Sequence, residues 1–448
     1  MTRNALLFSA AGSGKTNYIV EDCRKNPCLQ VLITTYTEAN RDEIKGRFGL
    51  IPKHVTVQTW FSFLLEHCVR PFQGRLYSGD IKGMVLVNKR SGIKYLGKVR
   101  PVYHRKADPK RYYFDSEGRI YSDKISEFSF EANKKTAGEV MKRLAVLYPR
   151  IYVDEVQDLA GYDLELLKLM VKEGIQLCLV GDPRQVTYVT HNSRKNGHYK
   201  NGKIDQYIID KFSKKWNYQV DTSTLSKSHR CSEKICCLSS RLYPNLEAAK
   251  PCDCEDCLKS KAGVASSLYL VDPKDVDCFL EKYEAVQLVW NRNRSVSDLS
   301  SCLTFGASKG MSFDSVLIYP TKEMQNWLFN IDTELTDSTR SKFYVAITRA
   351  RFNVGFVVDN NPLLDLLPSL KSQVSRAGFY LEKMYPSEDC AAAANFRGIL
   401  VNSLGLTETY AQAVISGREC WNQNLVDYQS LMSPEYDRGK RLSIFKPG

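Results

Sequence analysis

Short apolar runs alternate along the chain with longer stretches whose apolar positions recur at helical spacing. That pattern predicts an α/β protein with parallel sheets and helices between the strands. A first series of predicted strands covers residues 5–8, 30–36, 55–57, 150–154 and 176–180. A second covers 267–271, 302–305, 315–319 and 354–358. Two series predict two similar α/β units joined near residues 217–226. The longest apolar runs, such as 176–180 and 354–358, have the length of strands. None reaches the roughly 18 residues of a membrane span, so no membrane partner is expected. Residues 75–145 break the alternation and are rich in Gly, Lys, Arg and Tyr, as expected of an insertion in the first unit. Within them, residues 112–121 read as a hairpin about Ser116, Glu117 and Gly118. Beyond residue 360 the chain mixes Gly and Pro with stretches predicted helical at 388–405 and 408–417.

The resulting organisation has a first unit at 1–74 and 146–220, with a basic insertion at 75–145. A second unit follows at 221–360, with a short Cys-containing insert near 245–262, and a helical extension occupies 361–448. The chain has 448 residues, and 63 Lys and Arg against 50 Asp and Glu give a formal charge of +13. Such an excess favours a polyanionic partner. Between Lys82 and Arg111 there are ten Lys or Arg and one acid, Asp108, a density suited to phosphate contact. A second basic stretch covers 192–216. Fourteen cysteines without a small-domain framework read as reduced thiols of a cytoplasmic protein. Arg3 followed by the largely apolar stretch 5–11 resembles a minimal leader. It runs straight into Gly12-Ser13-Gly14-Lys15-Thr16, so a buried strand feeding a phosphate loop is the better reading.

Three motifs carry the chemistry. Ala11, Gly12, Ser13 and Gly14 are small enough for backbone N–H groups to wrap a β-phosphate. Lys15 can reach the β- and γ-oxygens, and Thr16 can ligate Mg²⁺. The strand 151–153 ends in Asp154 and Glu155. Asp154 suits a Mg²⁺ ligand, and Glu155 can orient or deprotonate an attacking water. The next strand ends in Gly181-Asp182-Pro183-Arg184-Gln185, where Gln185 can read a γ-phosphate by hydrogen bonding.

In that order, these segments resemble motifs I, II and III of superfamily 1 helicases of the UvrD/Rep type. Residues 34–40 resemble motif Ia, 59–63 motif Ib, 225–230 motif IV, 304–314 motif V and 344–351 motif VI. The resemblance spans about residues 1–360. It implies two RecA-like domains with ATP in the cleft between them, and an ATP-dependent translocase or helicase moving 3′-to-5′ on single-stranded DNA. RNA stays open as the strand. It also implies catalytic roles for Lys15, Asp154, Glu155, Gln185, Arg230 and Arg349, with the two arginines stabilising charge on the transferring phosphoryl group. Gly310 of motif V joins the nucleotide-binding set. By the same analogy Thr35, Thr37, Trp60, Phe61, Tyr188 and Thr304 grip the nucleic acid. For Trp60 and Phe61 core packing is the competing role.

Several positions depart from the UvrD/Rep pattern. A glutamine motif that reads adenine has no room before the phosphate loop. Thr190 and His191 stand where an aromatic and an arginine are usual, and Ser312 replaces a glutamate. Motifs IV and V are too close to hold the large regulatory insert. A reduced core of this kind resembles helicase-like subunits that work beside a nuclease, such as that of the Gabija antiphage system. It allows an alternative: a DNA-binding regulatory ATPase that gates a partner nuclease. No nuclease constellation of the chain's own stands out. Cys252, Cys254 and Cys257 offer three thiolates for zinc, with Cys231, Cys236 or Cys237 as a fourth ligand. His229, beside Arg230, reads as a packing residue of motif IV.

Overall fold

The computed structural model describes residues 4–358, except 88, 98–99, 187–194, 200–201, 214–215, 217, 265, 272 and 330–333, and also describes 442–444. Calls on Tyr188, Thr190, His191 and the extension at 361–441 therefore lie outside the described residues. The described chain forms two compact units. One holds Gly14–Ser226 and the residues up to Ala10; the other holds Ala11–Ser13 and the chain from Lys227 onward. Among the described residues, no helix is long and apolar enough to cross a membrane.

The first unit is built on a six-stranded, wholly parallel sheet. Its strands are β1 (Ala5–Ser9), β2 (Val31–Thr35), β3 (Val55–Thr59), β8 (Arg150–Asp154), β9 (Gln176–Gly181) and β10 (Gln219–Leu225). They lie in the order β10-β1-β9-β8-β2-β3. β2 and β8 are buried along their whole lengths, as a parallel sheet covered on both faces requires. One face packs Leu6, Leu32, Ile151 and Leu179, the other Leu7, Ile33, Tyr152 and Val180. The second unit has a six-stranded sheet of β13 (Ser267–Val271), β14 (Val286–Val289), β15 (Cys302–Thr304), β16 (Phe313–Tyr319), β17 (Ala350–Val357) and β18 (Leu442–Ile444). The order is β15-β14-β16-β17-β13-β18, parallel except for β18. Both units are parallel α/β layers of the RecA-like kind.

The segment 75–145, expected as a basic insertion in the first unit, has two parts. Its first part carries the small pairs β4 (Gly83–Val85) with β7 (Arg119–Tyr121) and β5 (Ile93–Leu96) with β6 (Pro101–Tyr103). Its second part is core: Phe128, Val140, Met141 and Leu144 are fully buried with Leu6 and Ile151 against the main sheet. The expected hairpin at 112–121 shrinks to one antiparallel bridge, Phe114 to Ile120. Its turn is set by Asp115, whose carboxylate accepts from the N–H groups of Glu117 and Arg119. β7 pairs instead in parallel with β4, because Tyr112 and Tyr113 are held in the short helix Pro109–Tyr113. Lys106 leaves the basic run and joins Glu127 and Glu131 at 2.6 and 3.0 Å.

Trp60 and Phe61 open the short helix after β3, and both are buried. The Trp60 indole N–H donates to Asp163 Oδ1 at 2.8 Å, and Ser126 Oγ donates to the same oxygen. Asp163 is 0% exposed. Its other oxygen accepts from Ala160 N at 3.3 Å. Both rings thus pack in the core, and the polar edge of Trp60 is satisfied inside the protein. Asp163→Ala would remove an acceptor from three buried donors, Trp60 Nε1, Ser126 Oγ and Ala160 N, each loss worth about 1–3 kcal/mol. We expect it to lower the urea midpoint of the first unit markedly. Trp60→Phe should also destabilise, yet leave single-strand affinity within about twofold of wild type, a change below 0.5 kcal/mol. Urea titration and fluorescence anisotropy read the two effects separately.

Candidate active site

The C-terminal ends of neighbouring parallel strands gather the polar residues of the first unit. Asp154 lies opposite Val180 in the β8–β9 register, and Phe8 of β1 lies opposite Gly181 of β9. The chain leaving β1 turns through Gly12 and Gly14, with φ of +72° and +82°, into the helix Lys15–Lys25. These left-handed conformations suit glycine and expose backbone N–H groups at a helix start, where anions bind. The loop tip clusters with the second unit. There Ser228 Oγ donates to Ala11 O at 2.6 Å and His229 N donates to Gly12 O at 2.9 Å. A Cβ on Gly12 would lie 2.5 Å from the Arg230 Cβ, so this position has no room for a side chain.

Lys15 Nζ lies 2.9 Å from Glu155 Oε1, and both side chains are nearly buried. Burial alone would lower the lysine pKa. The carboxylates of Glu155, Asp154 and Asp182 outweigh it and hold the ammonium protonated. Glu155 itself sits at φ +56°, a left-handed conformation rare outside glycine and typical of strained functional positions. Gln157 Nε2 donates to its second carboxylate oxygen. The Gln157 carbonyl accepts from Asp182 N at 3.1 Å. Asp182 in turn accepts from Gln185 Nε2 at 2.8 Å. A side chain at Gly181 would collide with Gln157 Oε1. A continuous polar chain thus runs from the phosphate-loop lysine to Gln185. Gln157 carries it between β8 and β9, a role the sequence reading did not assign.

Asp154 is buried, and its Oδ1 has no hydrogen-bond partner among protein groups. Burial, and then the charge of Glu155, push its carboxyl up to about 7. An orphaned carboxylate oxygen in a site with excess negative charge suits a divalent cation. Thr16, on the first turn of the phosphate-loop helix, is partly exposed. Ser13 Oγ is likewise buried without a partner. The residues present therefore fit Mg²⁺ with a polyphosphate.

In the second unit Arg230 is partly exposed and donates through Nη1 to Thr348 O at 3.2 Å. Arg349 is 1% exposed. Its guanidinium donates to Val345 O, Met311 O and Thr348 Oγ1 at 2.9, 3.1 and 3.3 Å. It anchors the loop that contains Gly310, whose φ is +88°. Among the described residues assigned to nucleic acid, none is fully exposed. Thr35 is buried at the end of β2. Thr37 caps the helix Glu38–Phe48 by accepting from Asn40 N at 3.1 Å. Thr304 Oγ1 accepts from Ala307 N at 3.2 Å. Trp60 and Phe61 are in the core, as described above.

Residues 131–358, just over half of the chain, match the family of viral superfamily 1 RNA helicase core domains. Residues 1–191 match an AAA domain family. The chain belongs to the superfamily 1 helicases, a class of ATP-hydrolysing enzymes. Within that class its matched family is the viral RNA helicase core. No curated protein matches it. It is similar to solved structures of an arterivirus helicase, nonstructural protein 10, at 14% identity and TM-score 0.39, covering 81% of this chain and 61% of that one. For the PRRSV helicase the values are 16% and 0.36, with 79% and 52% covered. For the arterivirus protein in complex with DNA they are 15% and 0.38, with 81% and 63% covered. The chain thus spans less than two thirds of the length of each of these proteins.

The raised Asp154 pKa has a consequence for stability. The folded protein favours the protonated carboxyl, so Asp154 stabilises relatively below about pH 4 and loses that contribution as pH rises towards 7. Without metal and nucleotide at pH 7.5, Asp154→Asn should melt at a higher temperature than wild type. The expected gain is about 1 kcal/mol or more. The difference should shrink at pH 5, where wild-type Asp154 is itself protonated. Paired melting curves at the two pH values check this.

Proposed function

We propose that this protein is an ATP-driven translocase or helicase acting on single-stranded nucleic acid. The observation that carries the reading is the Lys15–Glu155–Gln157–Asp182–Gln185 chain at the ends of β1, β8 and β9. It places a protonated lysine, a strained carboxylate and a glutamine at one helix N-terminus. Bound ATP places its phosphates on the glycine loop, where Lys15 leaves Glu155 to meet the β- and γ-oxygens. Released from that ion pair, Glu155 accepts a proton from the attacking water, and Gln185 senses the γ-phosphate. Thr16 and Asp154 would hold Mg²⁺, which would supply positive charge to the phosphates. Of the two motif arginines, Arg230 is the more exposed and is assigned here to the developing charge, while Arg349 holds the Gly310 loop.

The strand is read by charge rather than by the buried aromatics of the motif Ib segment. The excess of +13, and the run from Lys82 to Arg111, support backbone contact without base readout. RNA is the first strand to test, because the family matched is one of RNA helicase cores. Single-stranded DNA and 3′-to-5′ movement, implied by the motif resemblance, form the second comparison.

Steady-state ATP hydrolysis with and without single-stranded RNA or DNA tests the proposal. Stimulation by a single strand is expected. Glu155→Gln should lower kcat by about 10²–10⁴-fold while still binding nucleotide. Lys15→Ala should abolish turnover. Oppositely tailed duplexes give the polarity. Stimulated hydrolysis surviving in Lys15→Ala would overturn the site. Hydrolysis that no strand stimulates would favour the regulatory ATPase that gates a nuclease.

A further inference from the structure

Motif IV is held in a hook formed by two very short parallel strands. β11 (Lys227–Ser228) pairs with β12 (Lys250–Pro251), and Cys252 N donates to Ser228 O at 2.8 Å. The hook carries His229 next to Cys252. Cys254 is the N-cap residue of the helix Glu255–Lys261, which places Cys257 on the first turn. The imidazole and the three thiols converge, with Nδ1 or Sγ atoms all within 4.8 Å of one another. His229 Nδ1 is 3.3 Å from Cys257 Sγ and 4.0 Å from Cys254 Sγ.

We propose that His229, Cys252, Cys254 and Cys257 form a tetrahedral zinc site that fixes the backbone carrying Arg230. Zinc–sulfur bonds of about 2.3 Å and zinc–nitrogen bonds of about 2.0–2.1 Å give a tetrahedron whose edges are about 3.6–3.8 Å. The two imidazole–thiol separations, 3.3 and 4.0 Å, lie on either side of the nitrogen–sulfur edge. Three thiols and one imidazole are a recognised structural zinc set, and an odd number of thiols leaves one over in any disulfide scheme. His229, not Cys231, Cys236 or Cys237, supplies the fourth ligand. Cys231 and Cys236 are buried near Thr348 and in the helix Glu233–Arg241.

The packing explains why a metal is wanted there. Cys257 is the one buried residue of the helix Glu255–Lys261, and Leu258 is 59% exposed. A segment with so little apolar burial has no core of its own to hold it against β11. A metal bound by ligands from both sides of the hook supplies that cross-link. The salt bridge from Lys227 to Asp253 at 2.8 Å is exposed and contributes little. Arg230 follows His229 directly, so the metal sets the direction in which the arginine leaves the hook. His229 is a positioning residue in this account, and that second part rests on the ATPase reading above.

Metal analysis of the purified full chain, grown with zinc in the medium, tests the site without using activity. One zinc per chain is expected. His229→Ala and Cys257→Ser should each retain less than about a tenth of it, the order of loss that follows removal of a ligand or its support. His229→Cys should restore zinc as a four-thiolate site. Cys231→Ser and Cys236→Ser should keep it, which separates ligand loss from misfolding. Cobalt should give the visible bands of a tetrahedral thiolate site, altered in His229→Cys. A wild-type chain that takes up neither metal, or His229→Ala with a full complement of zinc, would overturn the site. For the positioning role, His229→Ala should lower kcat for ATP about tenfold or more with nucleotide affinity within about threefold, and His229→Cys should recover it. Zinc lost with kcat unchanged would overturn the positioning role alone. Zinc bound by a chain that hydrolyses no ATP would overturn the proposed function and leave the metal site standing.

Discussion

The parallel register of β1, β9 and β8 is the constraint on which the first unit depends. Parallel strands must each be left by a crossover, so their C-terminal ends open at one edge with loops free to carry polar groups. Here that edge receives the phosphate loop from β1, Asp154 and Glu155 from β8, and Asp182 to Gln185 from β9. The hydrophobic faces on either side fix the register, since a slip would bring apolar residues into the site. Gln157 then ties two of the ends together through one side chain, accepting from Asp182 N and donating to Glu155. Gly181 is required because any larger residue would occupy the space that Gln157 fills.

Charge at this edge is unbalanced. Lys15 faces Glu155, Asp154 and Asp182, one cation against three acids, and all are largely withdrawn from water. A buried site of that kind costs stability until cations arrive. The strained Glu155 backbone adds to the same debt. The fold tolerates both because β8 and β9 are buried along nearly their whole lengths. Stability is thus stored in the sheet and drawn on at its edge, the usual division between a scaffold and its reactive rim.

Much of this was legible in the sequence because the relevant signals are local. The phosphate loop, the strand ending in Asp154 and Glu155, and the Gly181–Gln185 turn each lie within a few residues and follow apolar runs of strand length. What escaped was set by partners far along the chain. Trp60 and Phe61 read as exposed or buried with equal ease until Asp163, 103 residues away, supplies the indole with an acceptor. β14 was missed because Gln287 interrupts its short apolar run. That glutamine is fully buried, and its amide is spent on Ser297 O and Ser300 O. The core half of 75–145 was hidden behind the basic composition of its first half. The hairpin at 112–121 failed for a related reason, since its turn chemistry was right while one arm is helical at Tyr112 and Tyr113 and the other, β7, pairs with β4.

His229 shows the same limit most clearly. Spacing alone offered three thiols and suggested a fourth thiol nearby in sequence. The true neighbour is set by a pairing of only two residues on each side, β11 with β12, which no periodicity reveals. Such a short ladder contributes little by itself, and the helix that follows buries almost nothing. Yet this weakly packed hook carries Arg230, one of the two arginines that the motif resemblance assigns to the phosphoryl group. If Arg230 acts as proposed, so slight a scaffold needs a second source of rigidity. In the second unit, convergent ligands on the hook are the feature of the described residues able to provide it. Arg349, by contrast, is held by three protein oxygens in a packed core and needs no such support. The two arginines thus reach rigidity by different physical means, one through burial and hydrogen bonds and the other through cross-linking of an exposed turn.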